Sequence, residues 1–169
     1  CGLDRQSRIV EAGGGSGGAT VVFARFVDAL TVYECRDEHR EVLERNIDYM
    51  GVAERVEVKA QDIIEGIGDE QKADLLFLDL PDPQVVLQQD TSLLPPGAYV
   101  VCYLPSINQV HTLCQYVEHD ARYYCEEVTE VGLRHWKVKE RVVRPETRKE
   151  MDHTAFLVFL RKVTHDEKR

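Results

Sequence analysis

The stretch Ile9-Val10-Glu11-Ala12-Gly13-Gly14-Gly15-Ser16-Gly17-Gly18 predicts the fold of this 169-residue chain more strongly than any other segment. A short apolar run ends in a glycine-rich turn, and the residues that follow, up to Ala29, carry apolar side chains at helical spacing. Glycines let the backbone approach a ligand closely, and the N-terminus of a helix offers unpaired N–H groups to an anion. The pattern therefore predicts a strand, a turn and a helix with a ligand site at the turn.

The glycine spacing by itself fits two classes of enzymes. Gly13-x-Gly15-x-Gly17 is typical of enzymes that use S-adenosylmethionine, and Gly13-x-Gly15-x-x-Gly18 is typical of enzymes that bind nicotinamide dinucleotides. Both cofactors contain adenosine, so the choice between methyl transfer and hydride transfer depends on residues elsewhere in the chain.

The composition is that of an ordinary globular domain, with 43% hydrophobic and 30% charged residues. No run approaches the roughly 20 apolar residues that span a bilayer, and no signal peptide opens the chain, so we expect a cytoplasmic protein without membrane contact.

Five irregularly spaced cysteines form no CxxC pair, which predicts reduced, mostly buried thiols and no metal site. A first strand so near Cys1 suggests a trimmed catalytic domain over residues 1–163, with a disordered tail at 164–169.

Apolar runs alternate with helix-period segments along the chain. Seven strands are predicted at 8–11, 30–34, 55–60, 73–80, 98–104, 123–135 and 154–162, and four helices at 18–29, 37–50, 84–94 and 107–120. This alternation predicts an α/β fold with a mostly parallel seven-stranded sheet and helices on both faces. No helix separates the last two strands, so we expect them to form an antiparallel hairpin at the sheet edge, joined by a basic connection.

Four acidic residues lie where predicted strands end, and that edge of an open parallel sheet carries the ligand site. They are Glu11, Glu34, Asp62 and Asp79. Glu34 can accept hydrogen bonds from both ribose hydroxyls of an adenosine, and Asp62 can accept one from the adenine amino group while Ile63 packs on the ring. The alternatives are a surface residue that closes a strand for Glu34 and a helix N-cap for Asp62.

The segment Asp79-Leu80-Pro81-Asp82-Pro83 follows an apolar run and is the most distinctive motif. Its two prolines fix φ and remove backbone donors, which gives a stiff turn directly after the strand. Such a turn can hold a flat base while Asp79 hydrogen-bonds the base edge, although a purely structural turn is the alternative. Hydride transfer has no evident use for this turn, whereas methylation of an amine or ring nitrogen does, so the sequence favours S-adenosylmethionine.

Positive charge is concentrated between residues 134 and 149, where seven Lys or Arg accompany two Glu in a chain of net charge −9. The segment carries +5 and the remainder −14. A solvated face would explain the run alone, but together with the other motifs it favours a phosphate-binding stripe, with Arg144 and Arg148 on phosphates and Trp136 or His135 stacked on a base. The alternative for Trp136 is a place in the core of the hairpin.

With these motifs in order, the chain resembles the class I S-adenosylmethionine-dependent methyltransferases. More narrowly, it resembles the archaeal and bacterial tRNA (adenine-N1)-methyltransferases that modify the T-loop adenine at tRNA position 58. The stretches that carry the resemblance span almost the whole chain: VEAGGGSG at 10–17, DLPDP at 79–83, YLPSINQV at 103–110, RHWKV at 134–138, VRP at 143–145 and HTAFLVFLRK at 153–162. The chain departs from the family at Gly14, where threonine is usual, and at Gln84, where tryptophan is frequent. The resemblance also leads us to expect that residues 1–163 are the catalytic domain alone, without the family's N-terminal β-rich domain.

The resemblance implies a Rossmann-like fold and transfer of a methyl group from S-adenosylmethionine to N1 of a T-loop adenine, leaving S-adenosylhomocysteine. It implies tRNA as the partner, a homo-oligomer (a tetramer in the family) and no metal. Asp79 would be catalytic. The implied cofactor residues are Glu11, Gly13, Gly15, Ser16, Gly17, Glu34, Cys35, Asp62, Ile63 and Asp79, and the implied tRNA contacts are Pro81, Arg134, Trp136, Arg144, Arg148 and His153.

Three other functions compete with this one. A methyltransferase for a small molecule or a protein would share the cofactor residues but would not bind tRNA. A nicotinamide-dependent oxidoreductase would explain the glycines and Glu34 but would leave the proline turn unused. A non-catalytic partner subunit of a tRNA methyltransferase is the third, and the presence of Glu34, Asp62 and Asp79 argues against it.

Overall fold

Strands and helices alternate along the computed structural model, which describes residues 2–67, 71–132, 136–145 and 155–164. In these ranges the strands are β1 (Arg8–Ala12), β2 (Ala29–Tyr33), β3 (Val56–Lys59), β4 (Leu75–Leu78), β5 (Tyr99–Leu104), β6 (Tyr123–Glu130), β7 (Trp136–Lys139), β8 (Val142–Pro145) and β9 (Phe156–Lys162). The helices are α1 (Gly18–Phe26), α2 (Asp37–Tyr49), α3 (Pro83–Leu87) and α4 (Ile107–His119), with short 3-10 turns at Ala53–Arg55 and Ile63–Glu65. None of the helices in these ranges has the length and apolarity to cross a bilayer.

Seven strands form one sheet in the order β3-β2-β1-β4-β5-β9-β6. The first five are parallel, and β9 runs antiparallel to both of its neighbours, β5 and β6. The predicted mostly parallel, seven-stranded α/β sheet is confirmed, as is the antiparallel pairing of the last two strands. Strand order reverses at β1, which lies between β2 and β4, and a crevice at such a point is where α/β sheets bind ligands.

Helices cover both faces of the sheet. Ala24 of α1 and Leu43 of α2 pack with Ile9 and Val32 in one core cluster. On the other face, α3 and α4 pack against alternate residues of the same strands, so Val10 belongs to the second cluster. Because both faces are covered, the central strands are apolar at nearly every position, which is why they were recognisable as continuous apolar runs.

The third helix is much shorter than the predicted 84–94. It ends at Leu87, and the chain then forms side-chain to backbone contacts that compete with a helix: the Asp90 carboxylate accepts from the Ser92 N–H at 2.9 Å. The Thr91 hydroxyl hydrogen-bonds the Tyr123 hydroxyl on β6. Tertiary contacts therefore override the helical periodicity of this segment.

The basic connection between β6 and β9 differs from the prediction. It was expected to be a plain link after one long strand over 123–135, but β6 ends at Glu130 and β7 and β8 form a separate antiparallel hairpin. The side chains of β7 are exposed.

The cysteines of the described ranges are all free thiols. Only Cys102 is fully buried, whereas Cys114 and Cys125 are half-buried and Cys35 is exposed. The prediction of mostly buried thiols therefore holds for one of these four residues.

Candidate active site

A cleft of about 310 Å³ lies at the carboxyl ends of the parallel strands, beside the point where strand order reverses. Residues at or just beyond the ends of four strands of the sheet line it: Ala12 and Gly13 at the end of β1, Tyr33, Glu34, Cys35 and Arg36 at the end of β2, Gln61, Asp62, Ile63 and Ile64 after β3, and Asp79, Leu80, Pro81 and Asp82 after β4. Seven predicted site residues thus meet in one cleft: Gly13, Glu34, Cys35, Asp62, Ile63, Asp79 and Pro81.

Gly13 brings the turns after β1 and β4 into direct contact. Its φ of +85° is in the left-handed region, and a Cβ added at this position would lie 2.2 Å from the carbonyl oxygen of Asp79. The Asp79 N–H also donates to the Ala12 carbonyl at 2.9 Å. The turn after β4 therefore requires glycine at position 13.

Gly14 lies where the family usually has threonine. Its φ is not in the left-handed region, but a Cβ here would lie 2.6 Å from Val32 Cγ1 and 3.1 Å from Leu43 Cδ2. Side chains of β2 and α2 thus occupy the space that a threonine needs. The glycine packs the turn closely against the sheet in this chain.

Glu34 is buried beneath the cleft, with 2% of its surface exposed, so it is not a surface residue that merely closes a strand. Its Oε2 accepts from the Gly15 N–H at 2.8 Å, and its Oε1 accepts from the Arg36 N–H at 3.0 Å and from Arg36 Nε at 3.1 Å. Burial by itself would raise the pKa of Glu34, but the hydrogen bonds from Arg36 and Gly15 outweigh it and lower the pKa. Glu34 is therefore held as a carboxylate.

Arg36 is the important cleft residue that sequence reasoning missed. Its guanidinium makes an ion pair with Glu34, and a third contact joins Nη2 to Oε2 at 3.4 Å. The side chain is 55% exposed. An arginine two residues past a strand has no spacing or motif that separates it from a surface residue, so the sequence carried no signal for this contact.

The loop after β3 presents Asp62 and two isoleucines to the cleft. One oxygen of Asp62 accepts from the Ile64 N–H at 3.0 Å, so the predicted N-cap of the 3-10 turn is present, and a carboxylate retains further acceptor capacity. Ile63 is only 2% exposed and belongs to the core, whereas Ile64 is 47% exposed. The apolar surface for a ring was predicted at Ile63 alone, but most of the accessible surface belongs to Ile64.

Asp79 and the proline turn form the opposite wall. Burial raises the pKa of Asp79, and the positive charge of Arg36 works against the rise. The Pro81 carbonyl accepts from Gln109 Nε2 at 3.0 Å, and Asp82 Oδ1 accepts from Gln84 Nε2 at 3.1 Å. Gln84, which replaces a frequent tryptophan, therefore contacts the turn itself.

Four predicted cofactor residues are not among those that line the cleft: Glu11, Gly15, Ser16 and Gly17. Gly15 acts through its N–H on Glu34, and Gly17, with a φ of 86°, is the N-cap of α1. Ser16 is exposed, and its carbonyl accepts from Asn46 Nδ2 at 2.7 Å. Gly15, Ser16 and Gly17 thus belong to the glycine turn itself and make their contacts within the protein.

Glu11 lies buried under the glycine turn. Burial raises its pKa to about 8; Thr20 opposes this rise and the Asp79 carboxylate adds to it. Within the part of the chain that the structure describes, Glu11 Oε2 has no hydrogen-bond partner. This carboxyl group is therefore a buried polar group that the described residues leave partly unsatisfied.

The predicted tRNA contacts are only partly within the described residues. Trp136 begins β7 and is 54% exposed, so it does not fill a hairpin core, and Arg144 lies on β8 opposite Lys137. Arg134, His135, Arg148 and His153 lie outside the described residues. Of the three that lie within the described residues, Pro81, Trp136 and Arg144, only Pro81 lines the cleft.

The sheet order and the acid-lined cleft define a class I methyltransferase fold. A family model described as tRNA methyltransferase complex GCD14 subunit matches residues 2–156. A tRNA (adenine(58)-N(1))-methyltransferase TrmI of Thermus thermophilus is 38% identical over 159 residues, which cover 92% of this chain and 61% of that protein. The chain therefore belongs to this tRNA methyltransferase family.

Solved structures resemble the chain over almost all of its length. The SAM-dependent O-methyltransferase of Thermotoga maritima has a TM-score of 0.86 and 33% identity, with 98% of this chain and 63% of that one covered. The tRNA (m1A58) methyltransferase TrmI of Aquifex aeolicus has a TM-score of 0.84 and 29% identity, with 96% and 64% covered. The chain thus spans less than two thirds of each of these relatives.

Proposed function

We propose that this chain binds S-adenosylmethionine in the cleft and methylates N1 of an adenine in the tRNA T-loop, as part of a homo-oligomer. The observation that carries the proposal is the convergence of Glu34, Asp62 and Asp79 on one cleft of a chain that belongs to a tRNA methyltransferase family. The name of the Thermus relative, which specifies adenine 58 and its N1 atom, supports the choice of target.

The adenosine part of the cofactor fits the acids after β2 and β3. A carboxylate offers about four acceptor positions, and Glu34 already receives the Gly15 N–H, the Arg36 N–H and two contacts from the Arg36 guanidinium. The backbone donors are held by the fold, whereas the Arg36 side chain is long and exposed. We therefore expect two ribose hydroxyls to replace the Arg36 guanidinium on Glu34, while Asp62 accepts from the adenine amino group.

The glycine turn fits the methionine part. The turn is open at Gly15, where an added Cβ would have no neighbour nearer than 3.8 Å, whereas Gly13 and Gly17 pack against Asp79 and Leu43. The N-terminus of α1 offers N–H groups to the methionine carboxylate. These N–H groups supply the donors that the carboxylate of an amino-acid moiety needs. Glu11, buried beneath the turn, does not line the cleft.

Asp79 is the proposed catalytic residue. When bound, S-adenosylmethionine would supply a methyl group to the in-plane lone pair of adenine N1, with the electron pair of the broken bond left on sulfur. Asp79 accepts from the N6 amino group, orients the ring and stabilises the positive charge that develops on the base. The target adenine must first leave its stack to reach the cleft, and Pro81 lies beside Asp79 to receive it.

The cofactor assignment predicts the result of a calorimetric titration. S-adenosylhomocysteine should bind and NAD should show no comparable binding. Replacing Glu34 with alanine should weaken S-adenosylhomocysteine binding by about 10- to 100-fold, because hydrogen bonds to a charged acceptor are lost. Glu41→Ala, on an exposed position of α2, is the matched control. Equal affinity for NAD, or a silent Glu34 variant, would contradict the assignment.

The tRNA assignment predicts a salt dependence that can be measured by filter binding. Neutralising Arg144 and Arg148 together should weaken tRNA binding and lower the slope of log K against log salt by about 2, since each lost phosphate contact removes about 0.9. Arg40 and Arg45 on α2 are the control pair, and Arg40 already pairs with Asp37 at 2.7 Å. If the α2 pair matters and the Arg144/Arg148 pair does not, tRNA binds elsewhere.

The activity itself is tested with unmodified tRNA and methyl-labelled S-adenosylmethionine, followed by mapping of the labelled nucleotide. Label on N1 of adenine 58 is the expected result. The Thermotoga relative is named an O-methyltransferase, which makes methylation of a different substrate the second candidate. Unlabelled tRNA from an enzyme that still binds S-adenosylhomocysteine would favour that second candidate.

A further inference from the structure

A single amide side chain joins the first turn of α4 to the proline turn. Gln109 Oε1 accepts from the Ser106 N–H at 3.1 Å, and Gln109 Nε2 donates to the Pro81 carbonyl at 3.0 Å. The first contact is half of a capping box that begins α4 at Ser106. The second contact crosses to a loop 28 residues earlier in the chain. Both ends of the amide are therefore used, one for the helix and one for the cleft wall.

The proline turn at 79–83 depends on hydrogen bonds from other elements, because it has few backbone N–H donors of its own. Pro81 and Pro83 carry no N–H, so the segment from Asp79 to Pro83 can donate only from Asp79, Leu80 and Asp82. At its start the turn is held by the bond from the Asp79 N–H to Ala12 and by the close approach of Gly13. Beyond Asp79, the Gln109 amide holds it against α4 through the Pro81 carbonyl.

We propose that Gln109 is a positioning residue that sets the direction in which Asp79 meets the target base. Pro81 is two residues from Asp79, and its ring fixes φ, so a displacement at the Pro81 carbonyl carries into the backbone that bears the Asp79 carboxylate. This inference rests on the proposed methyl transfer, and it gives the motif at 103–110 a role beyond starting a helix.

Two substitutions separate the hydrogen bond from Gln109 to Pro81 from the capping of α4. Glutamate serves as well as glutamine at this position of a capping box, so Gln109→Glu keeps the acceptor for the Ser106 N–H. It loses the donor to Pro81 and sets a carboxylate oxygen against a carbonyl oxygen. Ser106→Ala weakens the helix cap instead, because it removes the hydroxyl that accepts from the Asn108 N–H at 3.3 Å. It leaves the hydrogen bond from Gln109 to the Pro81 carbonyl intact.

The experiment measures both variants and the wild type, each as the full chain. Gln109→Glu should keep its Tm within about 2 °C and its affinity for S-adenosylhomocysteine, while kcat for tRNA methylation falls by about tenfold or more and KM changes less. Hydrogen exchange at the Asp79 and Val85 amides, which donate to the carbonyls of Ala12 at 2.9 Å and Asp82 at 3.1 Å, should become faster in this variant. Ser106→Ala should lower Tm by about 2–4 °C and retain kcat and slow exchange.

The outcomes distinguish this proposal from the proposed function. An unchanged kcat in Gln109→Glu, or unchanged exchange at the Asp79 and Val85 amides, overturns the positioning role. Equal losses of kcat in Gln109→Glu and Ser106→Ala also overturn it, because they assign the effect to the helix cap. If the wild type binds S-adenosylhomocysteine but does not methylate tRNA, the tRNA substrate is refuted. Faster exchange in Gln109→Glu would then still show that the hydrogen bond from Gln109 to Pro81 holds the turn.

Discussion

Replacing Asp79 with alanine should reduce methyl transfer to tRNA by about 100-fold or more and leave S-adenosylhomocysteine binding close to that of the wild type. The reason is that the proposed contact of this carboxylate is with the target base, whereas the ribose and adenine acceptors are Glu34 and Asp62. The measurement pairs single-turnover methylation of tRNA with calorimetry. Its control is Asp48→Ala, at an exposed position of α2.

The Asp79→Asn variant separates two contributions of Asp79 to methyl transfer, orientation of the base and stabilisation of its positive charge. The amide keeps an oxygen that can accept from the N6 amino group, but it removes the negative charge that stabilises the base as positive charge develops. We expect a loss smaller than that of Asp79→Ala if orientation contributes, and an equal loss if charge alone matters. Near-normal methylation by Asp79→Ala would remove this residue from the mechanism.

Replacing Gly13 with alanine should lower the free energy of unfolding by about 2–5 kcal/mol, the second large effect. A left-handed φ costs an L-residue about 1–2 kcal/mol, and overpacking adds about 1–3 kcal/mol. Here the added Cβ meets backbone, the Asp79 carbonyl, which cannot rotate away as a side chain can. Displacing that carbonyl also moves Asp79, so methyl transfer should decline together with stability.

Urea unfolding followed by circular dichroism measures this change. Gly18→Ala is the matched control, because Gly18 begins α1, its φ is not in the left-handed region, and nothing lies within 4 Å of an added Cβ. There the helix propensity of alanine should leave stability unchanged or raise it by up to about 1 kcal/mol. Similar unfolding free energies for the two variants would refute the close contact between the turns after β1 and β4.

The sequence by itself determined the framework of this protein. Apolar runs buried on both faces, the glycine turn and helical periodicity are local signals, and they predicted the parallel order of elements and the helices on both faces. The rule that parallel strands carry ligands at their carboxyl ends then predicted that Glu11, Glu34, Asp62 and Asp79, which lie far apart in sequence, meet at one site. Glu34, Asp62 and Asp79 do share one cleft, whereas Glu11 is buried and does not line it. These predictions succeeded because they depend on backbone direction and burial, which periodicity reports.

Only the tertiary structure decided the contacts around those acids. The Arg36 guanidinium on Glu34, the Gln109 amide on Pro81 and the exposure of Ile64 rather than Ile63 depend on the direction of individual side chains. The early end of α3 and the β7–β8 hairpin depend on hydrogen bonds that compete with local propensity. Such contacts form between groups that packing brings together, and a one-dimensional pattern of apolar and polar residues carries no information on which polar groups will meet.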